Sequence, residues 1–409
     1  MENFQTNRQT GAVVYPAADD QIQEASFSMP FGLPSLGHGP VPPVSTYPFS
    51  GSHFEHRLEA NVYKIAVLAG ADIGDYIFSL PALNSLRLAY PQAEIILLGQ
   101  EWHAQFLQDR PSPVDRVIVI PAPLSWSGES GPASFELEGF FEQLEYEKFD
   151  LAIQMQEEGQ LANPFVRRLG ARLTVGFRSF DALPLDRWIP YSFYQLDVLR
   201  YLEVVSLVGA DSVSLETRVP VIERDREEAA RVVPETSRPL VVLHPGAIDE
   251  RHRWPLEKFA QVGNALAWRG AQIVLTGSEA DGSIVRALSS QMAMPVLDAS
   301  GRLNLNGLAG LLSRASVVVA NDSGTLHLAA AVGAPTVGIY WCANLMTTGP
   351  ITRTRHRPAI SWRVACPICG LNSTRTACEH QISFVADISK EEVTASAIDL
   401  MALGQKVPQ

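Results

Sequence analysis

The sequence predicts an α/β protein built of two doubly wound halves, each a parallel sheet with helices on both faces. Three observations predict it. Apolar runs are short and continuous, helical periods separate them, and the whole pattern restarts after a charged stretch near the middle of the chain. A strand buried on both faces has no solvent side, so its run shows no alternation.

Residues 1–57 hold seven of the 28 prolines, with glycine and serine between them and no sustained apolar period. Such a stretch buries too little surface to offset its ordering entropy, and an irregular arm is expected there. Regular structure begins at Tyr63. Lys64-Ile-Ala-Val-Leu-Ala-Gly70 reads as a buried strand, Asp75 to Tyr90 as a helix, and Glu94 to Leu98 as a strand. Arg116 to Ile120, Phe149 to Gln154 and Leu173 to Phe177 continue the series, giving a first domain over 58–210. Residues 211–238, charged and containing proline, read as a linker. Strands at Leu240 to Leu243, Gln272 to Thr276, Val317 to Ala320 and Pro335 to Tyr340 then alternate with helices near 256–268, 282–291, 305–313 and 325–332, giving a second domain over 239–409. In such domains ligands bind at the carboxyl ends of the strands, here in a cleft between the halves.

With 409 residues, 46% of them hydrophobic, the chain can fill two cores. A formal net charge of −12 argues against a nucleic-acid or anionic-membrane binder, because phosphate backbones are held by clustered Lys and Arg. No apolar run reaches the length of a membrane span, and no basic segment followed by an apolar core marks a secretory signal. A cytoplasmic protein with reduced thiols is expected, compatible with a peripheral position at an inner membrane.

Two strand-to-helix turns stand out in the second half. Val319-Ala-Asn-Asp-Ser-Gly-Thr-Leu-His-Leu-Ala329 delivers Asp322, Ser323 and Gly324 to a helix N-terminus, where free N–H groups and the helix dipole favour an anion. His327 falls one turn inside that helix. The strand Leu240-Val-Val-Leu-His-Pro-Gly246 ends in a small-residue turn followed by Arg251, His252, Arg253 and Trp254-Pro255. One cationic turn beside one turn rich in N–H donors describes a pocket for a nucleotide sugar or dinucleotide.

Gly74-Asp-Tyr-Ile-Phe-Ser-Leu-Pro-Ala-Leu83, His244-Pro-Gly-Ala247 with Trp254-Pro255, Thr276-Gly-Ser-Glu279 and Asn321-Asp-Ser-Gly-Thr-Leu-His-Leu328 resemble, in order and rough spacing, the ADP-heptose-dependent heptosyltransferases of glycosyltransferase family 9, over about residues 62 to 400. The resemblance implies a GT-B fold, two Rossmann-like domains facing a cleft. It further implies an acceptor site in the first domain, a nucleotide-sugar site in the second, and an inverting, metal-independent transfer. ADP-heptose is the implied donor, and the acceptor is a hydroxyl of a glycan, lipid core or protein.

Inverting transfer needs a base for the acceptor hydroxyl and stabilisation of the departing diphosphate. Asp75 occupies the Gly-Asp position at which the family places its base, although Asp72 could equally complement the helix dipole. Where the family carries a Lys shortly before Trp-Pro, this chain has His252 between Arg251 and Arg253. The arginines are the first choice for the diphosphate, since they are permanently charged. Gly246, Ala247, Ser323, Gly324 and His327 fall beside the donor in the resemblance. Asp322, of like charge to phosphate, suits the loop or a sugar hydroxyl, and Glu279 suits ribose hydroxyls.

The four cysteines lie between Cys342 and Cys378, with Cys366-Pro-Ile-Cys369 as a close pair and His380 nearby. Cys342, Cys366, Cys369 and Cys378 are a candidate ligand set for a structural zinc or iron. Two other readings fit the motifs: a sugar-nucleotide-binding or assembly protein without turnover, and a nucleotide-sugar epimerase. The missing Lys favours the former, while Asp75 together with Asp322 and His327 favours transfer.

Overall fold

The computed structural model describes residues 57–121, 134–156, 158–374, 376 and 378–404. All but the last residue of the expected irregular arm lies outside them. The first lobe comprises β1 (Lys64–Leu68), α1 (Ile73–Ala89), β2 (Glu94–Gly99), α2 (Glu101–Leu107), β3 (Arg116–Val119), α3 (Ser134–Glu145), β4 (Leu151–Gln154), α4 (Ala162–Arg168), β5 (Leu173–Arg178), β6 (Arg187–Pro190) and α5 (Asp197–Ser206). Its sheet is parallel throughout, in the order β3-β2-β1-β4-β5-β6. The register sets Ile65 beside Ile95 and Leu151, so the unbroken apolar runs become the buried centre of the sheet.

The second lobe repeats the plan with α6 (Glu223–Val232), β7 (Leu240–His244), α7 (Leu256–Ala267), β8 (Gln272–Leu275), α8 (Gly282–Gln291), β9 (Leu297–Asp298), α9 (Leu305–Ser313), β10 (Val317–Asn321), α10 (Gly324–Ala331), β11 (Thr336–Trp341), α11 (Cys342–Thr348), β12 (His356–Ser361) and α12 (Lys390–Gly404). Strand order is β12-β11-β10-β7-β8-β9, again parallel. Each sheet therefore reverses direction beside its first strand, at β1/β4 and at β7/β10, where a doubly wound sheet opens its ligand crevice.

The stretch expected to be a linker contains α6, packed on α9 so closely that a Cβ on Gly310 would collide with the Asp225 carbonyl. The inward faces of the lobes share one apolar core, running from Ile77 and Leu83 of α1 through Val204 of α5 to Leu326 and Leu328 of α10. Two further cores fill the outer faces, one around Phe141 and Phe165, the other around Trp254, Phe259 and Phe384. Burial of large side chains at about 25 cal/mol per Å² drives this packing. Among the described residues no helix is long and apolar enough to cross a membrane.

Candidate active site

Asp75 sits in the first turn of α1, just past the carboxyl end of β1. The cap is Asp72, whose Oδ1 accepts the Asp75 N–H at 3.0 Å. Asp72 therefore closes the helix end, while Asp75, partly buried, lies in the first turn behind it. Burial first, then the negative charges of Asp72 and Asp197, push the Asp75 carboxyl up to about 7, against the opposing pull of the Asp72 backbone N–H and of Arg200. Asp197 and Arg200, paired at 2.8 Å on α5, are both buried. Burial raises Asp197 to about 6 although Arg200 and His327 act the other way.

The N-termini of α1 and α10 meet across the cleft. A Cβ on Gly324 would collide with the Ile73 side chain, and one on Gly74 would lie 3.4 Å from the His327 ring. Phe78 of α1 packs on the same imidazole, with ring centroids 4.6 Å apart. Glycine at 324 is what lets the two helix ends approach this closely. A cavity of about 680 Å³ opens alongside, lined by Phe78 and Val198 from one lobe and His327 and Thr348 from the other.

His327 Nε2 stands 3.0 Å from Asp322 Oδ1. Asn344 Nδ2 donates to the second carboxylate oxygen at 2.8 Å, and Thr348 Oγ1 donates at 3.1 Å. Burial works to raise the Asp322 carboxyl, but the His327, Asn344 and Thr348 contacts hold it below its ordinary value, so it is ionised at neutral pH. Ser323, the residue before α10, directs its hydroxyl to the Asn321 carbonyl and leaves the helix N–H groups open.

Asn321 joins the two turns read from the sequence. Its Nδ2 donates to the Pro245 carbonyl at 2.7 Å, and its Oδ1 accepts the Trp254 N–H at 3.0 Å. The turn after His244 is thereby fixed beside Asp322. Gly246 permits the Asp281 carboxylate to pack within about 3 Å of where a Cβ would stand. Arg253 Nε donates to the Ala247 carbonyl at 3.0 Å and Nη1 to Glu250 at 2.8 Å. Arg251 is forked onto Asp249, with contacts of 2.9 and 3.0 Å from Nε. Burial lowers His252 below the usual imidazole range, so the residue standing in for the family's Lys is uncharged at neutral pH. It stacks on Trp341, and Asn344 lies within 3.5 Å of its Nδ1. Glu279 is exposed at the end of β8, with Gly301 packed against its side chain.

The cysteine expectation is corrected in one member. Cys366, Cys369 and Cys378 come together, but the fourth group is His380, all four ligand atoms lying within 4.8 Å of one another. Cys342 is buried at the start of α11, in the apolar core of the second lobe, and is not among them. Backbone N–H groups, Cys369 first and then Ile368, pull the Cys366 thiol down to about 6 despite some desolvation.

Sequence reasoning did not single out Asn344 and Thr348, which reach Asp322 from beyond the next strand, nor Asp197 and Arg200. None belongs to a motif, and only the fold brings them in. Asn321 was visible within its motif, but its bridging role was not.

Two Rossmann-type lobes that close on a raised carboxylate from one side and an anion-ready helix end from the other define a GT-B enzyme. A model of glycosyltransferase family 9 (heptosyltransferase) matches residues 138–361. Lipooligosaccharide heptosyltransferase 2 of Haemophilus ducreyi is 26% identical over 313 residues, covering 71% of this chain and 86% of its own. E. coli ADP-heptose LPS heptosyltransferase II superposes with a TM-score of 0.66 at 21% identity over 84% of this chain and 99% of that one. The iron-containing dodecameric glycosyltransferase TibC of enterotoxigenic E. coli H10407 shares the fold at 12% identity, with a TM-score of 0.52 over 86% of this chain and 82% of that one. The chain belongs to glycosyltransferase family 9.

Proposed function

We propose that this glycosyltransferase moves heptose from ADP-heptose to a hydroxyl of a lipopolysaccharide- or lipooligosaccharide-type core, with inversion at the anomeric carbon. One observation carries the reading: Asp75, basic enough to accept a proton near neutrality, lies at the α1 terminus that packs against the α10 terminus, where Asp322 and His327 stand. A base works best when its pKa is near the operating pH. The ADP-heptose and core-acceptor parts rest on the names of the relatives.

In the proposed transfer, the α10 N-terminal amides hold the diphosphate, and the Arg251 and Arg253 turn supplies positive charge. Arg253 is the better placed of the two, because its partner Glu250 is largely exposed and such a pair is weak. Asp322, held by His327, Asn344 and Thr348, orients the loop and accepts from a sugar hydroxyl, and Glu279 meets the ribose. Gly246 and Ala247 line the turn beneath them. Asp75 takes the acceptor proton as the acceptor oxygen bonds to the anomeric carbon, and the bond from that carbon to the diphosphate oxygen breaks to release ADP. No step needs a metal, and the Cys/His cluster belongs to the structure of the second lobe.

The test is ADP release from ADP-heptose with a core acceptor, with the product anomer read by NMR. Release together with an inverted anomer is expected. Retention of configuration, or equal use of UDP- and ADP-linked sugars, would contradict the mechanism or the donor assignment respectively.

A further inference from the structure

We propose that Cys366, Cys369, Cys378 and His380 bind one zinc ion, and that the hairpin it closes braces the turn carrying Arg251 and Arg253. The second half of this proposal rests on the donor reading of that turn; the first does not.

The local chain is already shaped for a metal. Cys366 N–H donates to the Leu371 carbonyl at 2.8 Å, Gly370 N–H to the Cys366 carbonyl at 2.9 Å, and Ser373 N–H to the Val364 carbonyl at 2.8 Å, with Ala365 bridging Asn372. Gly370 adopts φ +72°, a conformation that suits glycine, and this turns the chain back directly after Cys369. The backbone N–H groups of Ile368 and Cys369 lie against the Cys366 sulfur. Cys366 is anchored in the apolar core of the lobe.

His380 gives an independent observation. Its Nδ1 is buried and has no hydrogen-bond partner among the described residues. An orphaned imidazole nitrogen costs about 1–3 kcal/mol unless something fills it. Zinc bonds of roughly 2.3 Å to sulfur and 2.0–2.1 Å to nitrogen place tetrahedral ligand atoms less than 4 Å apart, so the four need only draw in slightly. Three thiolates and one imidazole form a mixed set that suits zinc, and Cys342, which would have made it all sulfur, lies elsewhere.

Three and four residues beyond His380, Ser383 Oγ donates to the Arg253 carbonyl at 2.6 Å and Phe384 N–H to the Arg251 carbonyl at 2.7 Å. Phe384 also stacks on Trp341, the ring on which His252 rests. Both carbonyls flanking His252 are thus held by the segment that the metal would fix at its start.

The full chain is purified without added metal, and bound metals are measured alongside ADP affinity by calorimetry. About one zinc per chain is expected, exchangeable for cobalt with a sulfur-to-cobalt charge-transfer band, and lost in His380→Ala but kept in His380→Cys. Iron without zinc, or no metal with freely titrating thiols, overturns the site. Removing zinc is expected to weaken ADP binding about tenfold, and His380→Cys, which keeps four ligands, to preserve it. Equal ADP affinity with and without zinc overturns the bracing. Zinc present in a wild-type protein that binds no ADP would overturn the donor reading and the bracing with it, while supporting the metal site.

Discussion

Asp75 owes its basicity to place. A carboxylate in the first turn of a helix is ordinarily stabilised as an anion by the free N–H groups there. Here burial, Asp72 and Asp197 outweigh that stabilisation and lift it to about 7. As the proposed base it would work only when ionised, so kcat/KM should rise as pH climbs through about 7. The same shift makes the folded state hold a proton that the unfolded chain has released, so this residue's contribution to stability falls as pH rises from about 4 to about 7. Asp72→Asn isolates the charge effect, because Asn caps a helix as well as Asp does. The acidic limb of the pH–rate profile is expected to move down by about half a unit, and an unmoved limb would remove Asp72 from the tuning of Asp75.

At the scale of elements, the site is two helix ends and one turn, held in register by Asn321. Asn321→Ala strands the Trp254 N–H and the Pro245 carbonyl, at about 1–3 kcal/mol for each buried group. Calorimetry is expected to find ADP binding at least tenfold weaker, and unchanged binding would mean that the turn is held by other contacts. The central strands were legible in the sequence because burial on both faces leaves unbroken apolar runs. The edge strands β6, β9 and β12 were not: Arg187–Pro190 and His356–Ser361 mix polar and apolar residues, and β9 is two residues long. The helix α6 was hidden because its charged face dominates the composition, while Asp225 and Ala229 on the other face are buried. Asp75, Asp322 and His327 stood out as candidates because each sits inside a motif next to a strand end. His380 could not be preferred to Cys342, since sequence distance does not show which thiol the core claims.

Across the whole molecule, the lobes are tied by a buried polar knot. Arg110, from the loop after α2, forks onto Asp225 of α6 at 2.7 and 3.0 Å and also reaches Asn306 of α9 at 3.0 Å. Leaving one member of such a pair unpaired costs about 3–5 kcal/mol. Arg110→Ala should therefore lower stability in denaturant by that amount, and a loss under about 1 kcal/mol would show that the pair behaves as a surface one. With the lobes so joined, the proposed transfer requires only that a donor on the second lobe meet the carboxylate of the first. Turnover of Asp75→Asn, measured with ADP affinity on the same sample, tests that meeting most directly. Loss of transfer by at least about a hundredfold with unchanged ADP affinity is predicted, and wild-type turnover by the variant would contradict the account.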